Sequence, residues 1–240
     1  MKSVDQTVPA HGSQSALTWM NADAFVFDID GTLLVTRDLV HWNALHQAML
    51  EAYGVDTTIE GIPYHGKTDL SILRAAVTRA GISEAEFERH RPKALEVVCR
   101  EVSCRAGQIV AETCPAITEL LQVLATKGKL IGIASGNLEA VGWHKIQAAG
   151  LRRSFQFGCF SDQWESRTDI FRGAVAAVRS RLGPDATACF IGDTPSDISA
   201  AAEIQAPIIA IGSGTFSQQE LSTHSPDYCF PSCAELLQFE

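Results

Sequence analysis

The sequence predicts an α/β fold: a doubly wound, Rossmann-like parallel sheet with an inserted α-helical cap-like domain. Three observations lead there. Short, almost wholly apolar runs recur along the chain, as expected of strands covered on both faces. Alanine- and leucine-rich stretches with helical spacing separate them, the alternation that builds parallel sheets. One segment, residues 37–108, breaks the alternation and carries helical patterns only.

Residues 1–20 are polar, hold Pro9, Gly12 and several Ser and Gln, and read as a loose tail. "AFVFDID" (24–30) is the first strand. Three helices follow in the insert: 39–54, 67–81 capped by Thr68 or Asp69, and 83–107, where Ser83 and Glu86 form a capping box and Pro92 interrupts the run. The alternation then resumes with a helix over 116–128, a strand over 129–135, a helix over 138–150, a strand over 155–161 and a helix over 168–183. Gly128, Gly150 and Gly183 stand at the three helix ends as stop signals. Strands over 188–193 and 207–213 and a short last strand over 227–230 complete the sheet. The predicted division is a tail (1–20), an α/β core (21–36 and 109–240) and a helical insert (37–108).

Composition narrows the function. At 240 residues and 46% hydrophobic the chain has ample material for a core, and its formal charge of -9 argues against nucleic acid or an anionic membrane as partner. The seven cysteines are scattered without a C-x-x-C pair and read as buried thiols in a reducing compartment, not as zinc ligands or disulfides. No apolar run is long enough to span a bilayer and no signal-peptide core opens the chain, so a cytoplasmic location is expected.

The chemistry starts at "FVFDIDGTLL" (25–34), an apolar strand that ends in Asp28 and Asp30. Side chains at alternate strand positions point the same way, so two like charges are brought together, and buried carboxylates need a partner. Gly31 permits a sharp departure from the strand. Ser135 ends another strand and Gly136-Asn137 open the next helix; "GDTPSD" puts Asp193 and Asp197 at a third strand end; Arg167 precedes the helix from Thr168. Ligands of open parallel sheets bind outside the carboxyl ends of the strands, which is the edge these residues share.

With these residues in place, the sequence resembles the haloacid dehalogenase superfamily of aspartyl-nucleophile phosphohydrolases. Asp28-Ile29-Asp30-Gly31-Thr32 matches its DxDGT motif, Ser135 its second motif, and Gly192-Asp193-Thr194-Pro195-Ser196-Asp197 its GDxxxD motif, in family order. The helical insert resembles the family's small cap. The third motif usually supplies a lysine; none follows Lys145, and Arg167 is the nearest candidate.

The resemblance implies a phosphatase of the phosphoglycolate-phosphatase type, with a small phosphorylated metabolite as substrate. Asp28 would be the nucleophile, Asp30 the acid and base, and Ser135 and Arg167 the remaining catalytic groups. An acid at the position of Asp30 points away from carbon–halogen cleavage. Thr32, Gly136 and Asn137, with Lys67, Thr68 and Arg74 of the insert, are candidates for binding substrate. Mg²⁺, which prefers hard oxygen ligands, would be held by Asp28, the backbone of Asp30 and Asp193, with Asp197 as a further ligand or a support. The alternatives are a phosphomutase on the same core and a non-catalytic binding protein.

Overall fold

In the computed structural model, which describes residues 19–238, strand β1 (Ala24–Phe27) lies at the centre of a six-stranded sheet. All four of its residues are buried. Phe25 and Phe27 face one apolar layer, Ala24 and Val26 the other, which is why the strand reads as a continuous apolar run. The predicted tail lies outside the described residues except for Trp19 and Met20. Trp19 does not belong to a loose tail: it is buried and packs edge-on against Phe25.

After β1 the chain forms β2 (Leu34–Thr36) and then the three helices α1 (Val40–Tyr53), α2 (Asp69–Arg79) and α3 (Glu84–Cys104). Strand β3 (Ala111–Thr113) returns antiparallel to β2, so a two-stranded ribbon joins the insert to the sheet. The sequence reading offered no strand at either place. Strands of three residues carry no periodic signal, and their pairing partner is remote in the chain.

The insert has its own apolar cluster, with Leu45 and Met49 of α1, Leu73 and Val77 of α2, and Phe87, Val97 and Val98 of α3. Thr68 and Ser83 cap α2 and α3, each with a capping box. Helix α3 runs unbroken through Pro92, contrary to the expected interruption. Proline costs about 3 kcal/mol in a helix interior; burying Phe87 and Ala94, Val97, Val98 and Val102 on one face outweighs it.

The remaining chain alternates: α4 (Ile117–Thr126), β4 (Leu130–Ala134), α5 (Glu139–Ala148), β5 (Phe157–Cys159), α6 (Arg167–Leu182), β6 (Ala188–Gly192), α7 (Pro195–Glu203), β7 (Ile208–Ile211), α8 (Gln218–Ser222), β8 (Tyr228–Phe230) and α9 (Cys233–Gln238). The sheet order is β5-β4-β1-β6-β7-β8 and every pairing is parallel. Residues of α4, α5 and α9 cover the Phe25 face, and residues of α6 and α7 cover the other, where Phe171 stacks on Phe190 at 4.0 Å.

The register positions the site. Phe27 aligns with Ile133 on one side and Ile191 on the other, so Asp28, Ser135 and Asp193 leave the sheet at the same edge. The chain moves outward from β1 through β4 to β5, then crosses back to β6, and this reversal falls at the same edge. No helix among the described residues is long and apolar enough to cross a membrane.

Candidate active site

Asp28, Asp193 and Asp197 form a buried group whose carboxylate oxygens lie within 4.8 Å of one another. Arg167 enters it from the first turn of α6, with its Nη2 2.8 Å from Asp28 Oδ1 and its Nε 2.9 Å from Asp197 Oδ1. Three carboxyl groups share one guanidinium in a buried place, so full ionisation would leave two uncompensated negative charges. Burial, with Asp197 and Asp30 nearby, pushes the Asp28 carboxyl up to about 6 although Arg167 opposes the shift. Burial and the charges of Asp28 and Asp197 raise Asp193 well above the usual range. Burial works against the charge of Arg167, but Asp197 and Asp28 outweigh it and hold the guanidinium charged.

Backbone leaves the room for Asp193. A Cβ placed on Gly31 would lie 2.2 Å from its Oδ2, and one on Gly214 1.8 Å. Gly31 also has a φ of 89°, so the turn after the acidic pair requires glycine for its conformation and for its clearance. Thr32, fully buried, donates its hydroxyl to Asp193 Oδ1 at 3.1 Å. It therefore orients a carboxylate and does not reach the cavity as a substrate ligand.

Asp197 is the third residue of α7, in a capping box with Thr194. Its Oδ2 accepts from Thr194 N at 3.1 Å and Thr194 Oγ1 at 2.7 Å, and its Oδ1 accepts from Arg167. Both oxygens are taken, which makes it the anchor of Arg167.

Asp30 points elsewhere. Lys145 Nζ lies 2.8 Å from both of its oxygens, and Asn137 Nδ2 donates to Oδ2 at 2.7 Å. Burial opposes its charge, yet Lys145 and Asn137 hold its carboxyl below the usual range. The Asp30 side chain is still 42% exposed, open to the cavity, whereas that of Lys145 is 5% exposed. Its carboxylate lies outside the buried acidic group, so the carboxylates gathered there are those of Asp28, Asp193 and Asp197.

Lys145 was not among the residues singled out from the sequence. Its signal is a lysine four residues after Val141, on the buried face of the helix that follows Asn137. Two cations thus answer the site's carboxylates: Arg167 holds Asp28, and Lys145 holds Asp30.

Ser135 and Asn137 shape the loop before α5. Ser135 Oγ accepts from Asn137 N at 3.3 Å and Nδ2 at 2.9 Å, and the N-cap of α5 is Leu138. The insert supplies the missing cap: Asp69 Oδ2 accepts from Leu138 N at 2.8 Å, and Asp69 N donates to Gly136 O at 2.7 Å. Side-chain-free Gly136 lets this contact form, since a Cβ there would lie 2.3 Å from Lys67 O.

A cavity of about 540 Å³ opens between this edge and the insert. Asp28, Asp30, Ser135, Gly136, Asn137, Arg167, Asp193 and Lys67 line it. Thr68 and Arg74 do not. Thr68 caps α2 and donates to Glu165 O at 2.8 Å. Arg74 lies over the Phe87 ring and is bound by Glu165 (2.8 Å and 2.6 Å), Glu88 and Glu84. Both residues tie the insert to the core instead of reaching the cavity. The cysteines are free thiols.

The model of the family described as haloacid dehalogenase-like hydrolase matches residues 25–211. A phosphoglycolate phosphatase of Synechococcus elongatus is 27% identical over 220 residues, covering 90% of this chain and 95% of that protein. A phosphoglycolate phosphatase of Mesorhizobium japonicum is 25% identical over 198 residues, covering 81% of this chain and 85% of that protein. Among solved structures, CbbY of Rhodobacter sphaeroides in complex with xylulose-(1,5)bisphosphate is similar in fold, with a TM-score of 0.66 at 18% identity over 90% of this chain and 96% of that chain. From its first strand through its seventh, with the acidic strand ends between, this chain belongs to the haloacid dehalogenase-like hydrolase family.

Proposed function

We propose that this hydrolase is a phosphatase acting on a phosphate monoester of a small metabolite through an aspartyl-phosphate on Asp28, with Mg²⁺ as its cofactor. The observation that supports it best is the buried group of Asp28, Asp193 and Asp197 beside one arginine, next to a separately held, solvent-facing Asp30. Two uncompensated negative charges and an all-oxygen donor set fit a hard divalent cation. Asp28 and Asp193 would hold it. Once bound, such a cation supplies the positive charge that lets a carboxylate and a phosphate dianion approach each other.

Asp28 attacks phosphorus, and the bond from phosphorus to the ester oxygen breaks. Asp30 gives its proton to the departing oxygen. In the second step Asp30 takes a proton from water, whose oxygen attacks phosphorus and releases phosphate and free Asp28. Lys145 keeps Asp30 ionised in the free protein, the form the second step needs. An arriving phosphate dianion competes for Lys145 and opposes the charge on Asp30, which favours the protonated form for the first step. Ser135, with Gly136 and Asn137, lies where phosphoryl oxygens would be received, and Lys67 borders the same loop. We further propose that the helical insert acts as the cap of this site, excluding water from the reaction.

The test is hydrolysis of a phosphate-ester panel by purified protein with Mg²⁺. Asp28→Asn is expected to lower kcat by a factor on the order of 10³ or more, with the fold retained. EDTA is expected to abolish turnover reversibly. Normal turnover by Asp28→Asn would overturn the assignment, and an isomerised ester in place of free phosphate would make the protein a mutase.

A further inference from the structure

The insert lines the cavity with polar groups, Asp38, His41, His65, Lys67 and Asp69, and also with large hydrophobic side chains, some of them exposed. Among the described residues, six large hydrophobic side chains are exposed, Val35, Leu39, Leu50, Tyr64, Val110 and Leu182. Three of them, Val35, Leu39 and Tyr64, line this one cavity. Trp42 lines it as well, edge-on to Tyr64 with ring centroids 6.2 Å apart. Singly scattered surface hydrophobics need no explanation, whereas a cluster facing a charged floor calls for an apolar ligand group.

The volume points the same way. About 540 Å³ falls within the roughly 300–1,000 Å³ of sites that enclose drug-sized ligands, more than a two-carbon acid and its phosphate occupy.

Apart from Lys67, the cations at and around the cavity are already engaged. Arg37 pairs with Glu112 at 2.9 Å, Arg74 with Glu165, Lys145 with Asp30, and Arg167 with Asp28 and Asp197. His41 faces Asp69 at 3.1 Å, and His65 Nδ1 faces Thr215 Oγ1 at 3.0 Å. Lys67 has no polar side-chain partner among the described residues, but it borders Gly136 in the loop assigned to the phosphate.

We propose that Trp42 and Tyr64, with Leu39 and Val35, form a leaving-group subsite for a flat, uncharged ring. The preferred substrates are then phosphate monoesters that carry such a ring, and not small acids of the phosphoglycolate kind. This inference rests on the phosphatase reading and specifies its substrate class. An aromatic ring offers its face or edge to another aromatic and gains beyond simple burial.

Benzyl phosphate, ethyl phosphate and phosphoglycolate separate the possibilities, because benzyl and ethyl esters release alcohols of similar acidity. With Mg²⁺, kcat/KM for benzyl phosphate is expected to exceed that for either other ester by about tenfold or more. Trp42→Ala is expected to reduce that preference about tenfold, chiefly through KM, and Trp42→Phe to restore much of it. Since Trp42 is also packed against the insert core, Tyr64→Ala, at an exposed ring, serves as the second variant and should lower the same ratio. Hydrolysis of phosphoglycolate in preference to benzyl phosphate, or equal losses on all three esters in both variants, overturns the ring subsite and leaves the phosphatase reading standing. Absence of hydrolysis on every ester overturns the phosphatase reading and this inference with it.

Discussion

At the floor of the cavity charge is met by charge: Arg167 lies between Asp28 and Asp197, Lys145 holds Asp30, and Thr32 donates to Asp193. The wall supplied by the helical insert is mixed: Trp42, Tyr64 and Leu39 stand beside His41, Asp69 and Lys67, and among the described residues no side chain answers the Lys67 ammonium. The floor groups fix one another, so charge that develops in a reaction meets preoriented partners and little reorganisation is needed. The apolar part of the wall offers shape and area, which under the proposed function would distinguish one leaving group from another. Under the proposed function, chemistry would fall to the strand ends and selection to the insertion between them.

If Arg167 is what offsets the buried carboxylates of the floor, removing it should do the greatest damage. Arg167→Met leaves Asp28 and Asp197 buried without a positive partner, and denaturant unfolding is expected to show a loss of about 3–5 kcal/mol, together with loss of turnover. Adding Asp28→Asn to that variant should return part of the stability, because it removes one of the stranded charges. A variant as stable as its parent would show that Arg167 does not offset them.

Lys145→Met tests the second cation. It is expected to lower kcat by about 10², the lower range for a positioned acid or base, with a smaller change in KM, and Lys145→Arg should recover part of the rate. A change in thermal stability with unaltered kcat would make Lys145 a packing residue.

The smallest effect is expected at the seam between floor and wall. Arg74→Ala removes the tie to Glu165 and Glu88 and should cost about 1 kcal/mol of stability, with kcat/KM close to the parent value. A large rise in KM would return Arg74 to the substrate-binding groups.

Much of the floor was legible in the sequence. Asp28, Ser135 and Asp193 each end or follow an apolar run, and parallel strands bring all such ends to one edge. Arg167 could be placed by its position just ahead of a helix. Lys145 was not found, because a charge inside a helix reads as solvent-facing until the fold shows that its turn overlies Asp30. Thr68 and Arg74 were misplaced for a related reason. A polar residue beside a site is indistinguishable in sequence from one inside it, and here Thr68 serves its own helix while Arg74 is taken up by Glu165, Glu88 and Glu84. Pro92 misled because local propensity predicts a break that the packing of Phe87 and Val97 overrides.

The sequence by itself determined the α/β alternation, the helical insertion and the acidic residues at and just beyond the strand ends, since periodicity and strand polarity are local properties. Tertiary structure decided which cation answers which carboxylate, that Asp69 of the insert caps α5, and that Trp42 and Tyr64 share a wall of the cavity. Those are contacts between segments distant in the chain. They depend on the register of β1 with β4 and β6 and on how the insert seats over that edge, neither of which any short window of residues contains.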